Sequence, residues 1–154
     1  MNKDEIVARL MKDMERNKRF ANRVWSEDYV RVWLAGEIAL SEFTKVLPVF
    51  ESKFYGDGGE DSHIFIEGKR FTINVKTSKR PYNLVAEPNR NKADIYCLAR
   101  YFAETDRAML LGWQWSSVIH KAPIKKLNEV GVDLHTLPQH ELRDMEILAR
   151  KMDV

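Results

Sequence analysis

At 154 residues, with 44% hydrophobic and 31% charged side chains, the chain is long enough to bury a core and too apolar for disorder to dominate. A net charge of +2 excludes nucleic-acid binding through bulk electrostatics and leaves only local basic patches: Lys69-Arg70, Lys79-Arg80, and Lys121 with Lys125-Lys126. One cysteine, Cys97, excludes an internal disulfide, and no apolar run suits a membrane span or a leader, so the expectation is one domain over residues 1–154 in a reducing cytoplasm.

Over residues 3–19, Ile6, Val7, Leu10, Met11 and Met14 recur at helical spacing among charges, which predicts an amphipathic helix. Residues 26–46 read as a second helix. Ser26 followed by Glu27 and Asp28 is a helix-start pattern, Val30, Trp33, Leu34, Ile38 and Phe43 supply the apolar stripe, and Pro48 is the expected stop. Gly56, Gly58 and Gly59 predict a turn or loop over residues 55–59; without a lysine and a helix start behind them they do not read as a phosphate-binding loop.

The texture then changes to short β-branched runs. Residues 63–66, a turn at 67–69 and residues 70–77 predict a hairpin, with Gly68 supplying the positive φ that closure requires. Residues 83–87 read as a further strand and residues 93–101 and 109–115 as two more, the first of these apolar enough to be central. Residues 116–120 predict a short helix, and residues 139–152 a terminal one turning Leu142, Met145, Leu148 and Ala149 inward. The sum is an α/β or α+β layering in which a mixed central sheet of four to six strands is flanked by helices. Its parts are a helical segment over about residues 1–47, a sheet core over about 60–116 and C-terminal helices over about 116–154.

Alternation along the second hairpin strand puts Phe71, Ile73 and Val75 on one face and Thr72, Asn74 and Lys76 on the other. Three elements then offer polar groups to one region. Glu37 lies in Leu34-Ala35-Gly36-Glu37-Ile38-Ala39, whose small residues let a helix approach a sheet closely; Asp61 enters the first hairpin strand, and Asn74 and Lys76 emerge from the second. Magnesium takes hard oxygen ligands and keeps several waters, so Asp61, the side-chain oxygen of Asn74 and the carbonyl of Val75 form a candidate set, with Glu37 acting through water or on a second metal.

Plainer readings stand beside these. An isolated Asn-x-Lys is weak evidence, Glu37 has Glu42 and Glu51 as neighbours, and Asp94 reads equally as a structural residue at a strand edge. His63, His120, His135 and His140 lack metal-ligand spacing, so a structural zinc site is not expected, and His120 beside Lys121 reads as surface before phosphate contact. Trp113 and Trp115 share a strand face and read as core or interface before base stacking, and Lys125-Lys126 as a solvated turn.

The ordered run of Gly36-Glu37, Asp61, Asn74-Val75-Lys76-Thr77-Ser78, Lys92-Ala93-Asp94-Ile95-Tyr96 and Leu111-Gly112-Trp113 resembles the PD-(D/E)XK nuclease superfamily, particularly the small nucleases common in phage genomes. The resemblance covers roughly residues 30–123. It implies a restriction-endonuclease-like core, a Mg2+ site that Mn2+ also fills, and hydrolysis of DNA phosphodiesters in a host cytoplasm. It also implies roles: Glu37 as the helix-borne acid, Asp61 as principal metal ligand, Asn74 and the Val75 carbonyl as further ligands, and Lys76 as the residue that orients or activates water. Arg70, Lys79 and Arg80, with Thr77 and Ser78, would contact backbone phosphates.

The departure from the pattern is Asn74, where the superfamily carries Asp or Glu. An amide keeps one ligating oxygen and loses the charge, so metal binding should weaken and Lys76 should be balanced less well. Three origins stay open: a natural variant that retains activity, a degenerate nuclease that still binds DNA, and an engineered inactivation. The expectation is a magnesium-dependent DNA nuclease impaired at Asn74. The alternatives are a four-way-junction resolvase of the same fold, which would act as a homodimer, and an inactive nucleic-acid-binding module.

Overall fold

Ser26 begins the helix that organises the molecule: its Oγ accepts the Tyr29 N–H at 3.1 Å, capping α2 (Glu27–Thr44). In the computed structural model, which describes residues 2–16, 26–48, 60–88, 93–127 and 132–154, this helix packs against α1 (Lys3–Arg16). Ile6, Val7, Leu10 and Met14 of α1 bury themselves with Val30 and Leu34 of α2, the stripe that the sequence periodicity predicts. The expected stop at Pro48 is corrected. The helix ends at Lys45, which takes the left-handed conformation (φ 59°) and donates its N–H to the Ser41 carbonyl at 2.8 Å.

The hairpin forms as expected from β1 (Ser62–Ile66) and β2 (Lys69–Ser78), paired antiparallel. Its two-residue turn places both Glu67 (φ 51°) and Gly68 (φ 77°) at positive φ. The Asp153 carboxylate accepts both turn amides, Glu67 at 2.9 Å and Gly68 at 2.8 Å, so the C-terminal tail clamps the hairpin tip.

After β3 (Asn83–Ala86) the chain enters β4 (Ile95–Phe102), which runs parallel to β2 and antiparallel to β5 (Arg107–Trp115). The resulting four-stranded sheet, in the order β1-β2-β4-β5, is mixed, flanked by helices and α+β in class, as the sequence predicts. β4 is central, and its residues alternate between two cores. Ile95, Cys97 and Ala99 join Ile64, Ile73, Val75 and Trp113 beneath Leu40 of α2. Tyr96 and Leu98 face the opposite layer with Leu84, Ala86 and Leu137.

That opposite layer is a second sheet that sequence reading misses. After α3 (Ser116–Ile119), β6 (Ile124–Leu127) and β7 (Val132–Pro138) pair with β3 in the order β3-β7-β6. Lys125 and Lys126, expected in a solvated turn, lie on β6 and are exposed there. The single terminal helix expected over residues 139–152 is also corrected: a 3-10 turn (Gln139–Glu141) precedes α4 (Met145–Lys151). Between them, Arg143 exchanges backbone hydrogen bonds of 3.0 and 2.9 Å with Trp113. A Cβ on Gly112 would stand 2.8 Å from the Leu142 Cβ, so only glycine admits this crossing segment. Leu148 is buried as expected, whereas Ala149 is exposed. Among the described residues no helix is long and apolar enough to cross a membrane.

At the far end of the sheet Asp106, on the β4–β5 turn, ties four elements together. Its carboxylate meets Lys3 Nζ at 2.7 Å, Arg31 Nη1 at 2.9 Å and the Tyr101 hydroxyl. Burial opposes its ionisation, but hydrogen bonds from Lys3 and Tyr101 and the nearby Arg31 charge outweigh this and hold the carboxyl below its ordinary pKa. Burial, with the Asp106 hydrogen bond and charge, pushes the Tyr101 hydroxyl up to about 12.

Candidate functional site

The hairpin register decides where the first acid stands. Ser62 pairs with Ile73, and the Asp61 N–H continues the ladder to the Ile73 carbonyl at 2.8 Å, which sets Asp61 opposite Asn74. Where β1 then leaves β2, Asp61 Oδ2 replaces the missing strand and accepts the Val75 N–H at 2.8 Å. An extended residue presents its N–H and C=O to the same side, so the Val75 carbonyl is directed to this edge too.

The faces of β2 fall as alternation predicts. Phe71, Ile73 and Val75 join the core under α2, while Asn74 and Lys76 stand in register with Tyr96 and Leu98. Asn74 is 3% exposed, and Lys76 is half-buried.

Glu37 arrives from α2 by a close approach. An ideal Cβ on Gly36 would lie 1.7 Å from Thr77 Oγ1, so helix and strand meet at this glycine and the following residue, Glu37, is carried in only 6% exposed. Glu37 and Asp61 then line one cleft of about 260 Å³ together with Glu60, His63, Arg70 and a lip of Val46, Leu47 and Pro48. Asn74, Val75 and Lys76 adjoin Asp61 on the neighbouring strand and are not part of that lining. Three oxygens, Glu37 Oε2, Asp61 Oδ1 and Asn74 Oδ1, are shielded from solvent and accept no hydrogen bond, while each of the three residues has other interactions. Beneath them, in register with Val75, the Cys97 thiol is pushed up by burial first and by the Asp61 charge second.

No protein-family model, curated protein or solved structure matches the chain. Among the described residues no group of three or more His, Cys, Asp and Glu side chains is placed to hold a metal ion. The candidate donors named from the sequence are two carboxylates and, as third side chain, an amide. Two carboxylate groups, one amide oxygen and one backbone carbonyl are all hard oxygen donors, which fits a magnesium-like cation that keeps several waters and does not fit a softer metal seeking sulfur or imidazole.

The residues expected to touch phosphate separate. Arg70 lines the cleft and pairs with Glu60. Lys79 is ion-paired with Asp28, in the first turn of α2, at 2.9 Å. Thr77 packs on Gly36, Ser78 Oγ accepts the Arg80 N–H at 3.2 Å, and Arg80 is exposed. Asp94 bears out its structural reading, accepting the Thr72 N–H at 2.9 Å and hydroxyl at 3.2 Å. Trp113 is fully buried and meets Trp115 edge-on at 5.1 Å, so both serve packing. His120 is half-buried between Tyr96 and His135, not on the open surface. Gly59, Lys92, Glu51 and the glycine turn at residues 55–59 lie outside the described residues.

Two cleft residues escape sequence reading: Glu60 and His63. Ligand spacing gives His63 no role. Its position two residues after Asp61, on the same strand face, is the signal that places it here.

Proposed function

We propose that the chain is a magnesium-dependent nuclease that hydrolyses DNA phosphodiesters, with Mn2+ able to replace Mg2+ and with activity reduced by Asn74. The observation that carries this reading is the meeting of Glu37 and Asp61, from a helix and a strand distant in sequence, in one cleft, with the Asp61 carboxylate bound to the backbone beside Asn74. The order and spacing of these residues support it through the superfamily they resemble.

Glu37 and Asp61 would supply carboxylate oxygens, Asn74 an amide oxygen and Val75 its carbonyl. When bound, the divalent ion supplies Lewis-acid polarisation of the scissile phosphate and activates water. Lys76, on the same strand face as Asn74, adds positive charge beside the phosphorus and holds the attacking water. Arg70 at the cleft binds a backbone phosphate and fixes register without reading bases.

Cleavage of plasmid, linear and four-way-junction DNA with Mg2+ or Mn2+ tests the reading. Asn74→Asp should raise metal-dependent cleavage, and Lys76→Ala in that background should lower it by about a hundredfold to ten-thousandfold, the range of a lost proton-handling group. Equal cleavage by parent and Asn74→Asp removes Asn74 from the mechanism. Binding without cutting by both favours the inactive module.

A further inference from the structure

Glu60 is the residue immediately before Asp61, and its carboxylate is placed as an anion between two basic side chains. Its Oε1 is paired with Arg70 Nη2 and lies 3.8 Å from His63 Nδ1. All three residues line the cleft that holds Glu37 and Asp61. His63 and Arg70 come from opposite strands of the hairpin, in the pairs His63↔Thr72 and Phe65↔Arg70, two positions apart and so on the same face. The imidazole packs edge-on against Phe65, with ring centres 5.7 Å apart.

We propose that Arg70 and His63 form a phosphate clamp at the cleft rim, and that the Glu60 carboxylate occupies its seat until a nucleic-acid phosphate displaces it. A guanidinium presents paired donors suited to a phosphate as well as to a carboxylate, so the two anions compete for the same group. Arg70 and Glu60 are 47% and 40% exposed, which makes their pair weak and exchange with an incoming phosphate inexpensive. The exchange lies one residue from Asp61, so it seats a phosphate beside the scissile one. The inference rests on reading the cleft as a phosphodiester site and adds Glu60 and His63 to it.

The test is metal-free binding of a fluorescein-labelled twelve-residue oligothymidylate in EDTA, read by anisotropy, with inorganic phosphate as competitor. Glu60→Gln should bind roughly twofold to fivefold more tightly than the parent, the range set by losing an exposed ion pair. It should also be more sensitive to inorganic phosphate. Arg70→Ala and His63→Ala should each bind more weakly, and Glu60→Gln should add nothing in the Arg70→Ala background, because the two groups act on each other. Arg70→Gln repeats the arginine arm if the alanine variant melts early. Unchanged binding by Glu60→Gln overturns the clamp. So does a gain that persists without Arg70, since that gain would come only from removing a negative charge. Loss of metal-dependent cleavage with this binding pattern intact sinks the nuclease reading and keeps the clamp; cleavage without the pattern does the reverse.

Discussion

Replacing Gly36 by alanine tests the contact that carries Glu37 into the cleft. Two effects oppose each other. In a helix interior alanine is favoured over glycine by about 0.5–1 kcal/mol, so an unobstructed Gly36→Ala would stabilise α2. The new Cβ, however, would sit 1.7 Å from Thr77 Oγ1, 2.9 Å from its Cβ and 3.2 Å from its Cγ2. Thr77 lies within β2, paired with Ala99 of β4, so it cannot simply swing aside. Helix and sheet must separate, and overpacking of this kind costs about 1–3 kcal/mol or more, which outweighs the propensity gain. The expected net loss is about 1–2 kcal/mol, a fall of roughly 2–8 °C in Tm for a chain of this size. Urea unfolding followed by tryptophan fluorescence and by circular dichroism measures it. Thr77→Ala removes the two side-chain atoms at 1.7 and 3.2 Å, so the double variant should regain more than half of the loss. A Gly36→Ala protein as stable as the parent would refute the close approach, and with it the account of how Glu37 is positioned.

Asp106→Asn should cost about 1–3 kcal/mol at neutral pH, because Lys3, Arg31 and Tyr101 lose a charged partner. The folded carboxyl has a lowered pKa, so its contribution is complete above the ordinary aspartate value and disappears as pH falls through the lowered one. The stability gap between parent and variant should therefore close in acid, and a gap constant down to pH 2 would contradict the network. Asp153→Ala should cost about 0.5–1.5 kcal/mol and speed amide exchange at Glu67 and Gly68, the two turn amides it binds. Unaltered exchange at those two amides would show that the tail does not hold the turn.

The hairpin was legible because its two signals are local: alternation along residues 71–76 and a glycine at the turn. The second sheet was not. Ile124, Lys125 and Lys126 are all exposed, so β6 carries no alternation, and its pairing with β7 is a tertiary fact. Leu142 fits helical spacing with Met145 and Leu148, so periodicity alone extends the terminal helix past its true start. The crossing at Gly112 pulls Leu142 and Arg143 out of the helix instead. The same division holds at the site. Residue type and order single out Glu37 and Asp61, which share a cleft, whereas the Lys79 partner, Asp28, lies 51 residues away and no spacing announces it.

Asn74 has a physical logic of its own. It is nearly fully buried and stands opposite Asp61, whose cleft also holds Glu37. An aspartate here would bury a second carboxylate directly opposite Asp61, a desolvated like-charge arrangement that costs stability unless a cation or a proton relieves it. The amide avoids that cost and, on the proposed reading, would give up affinity for the cation. Asn74→Asp should therefore melt lower than the parent in EDTA yet gain more from Mg2+, since a ligand stabilises the folded state by an amount set by its concentration relative to its dissociation constant. A thermal-shift titration with Mg2+ reads both effects on one axis. The curves for parent and variant should converge or cross as the metal rises. Parallel curves would mean that position 74 does not face the cation site, however well the rest of the constellation fits.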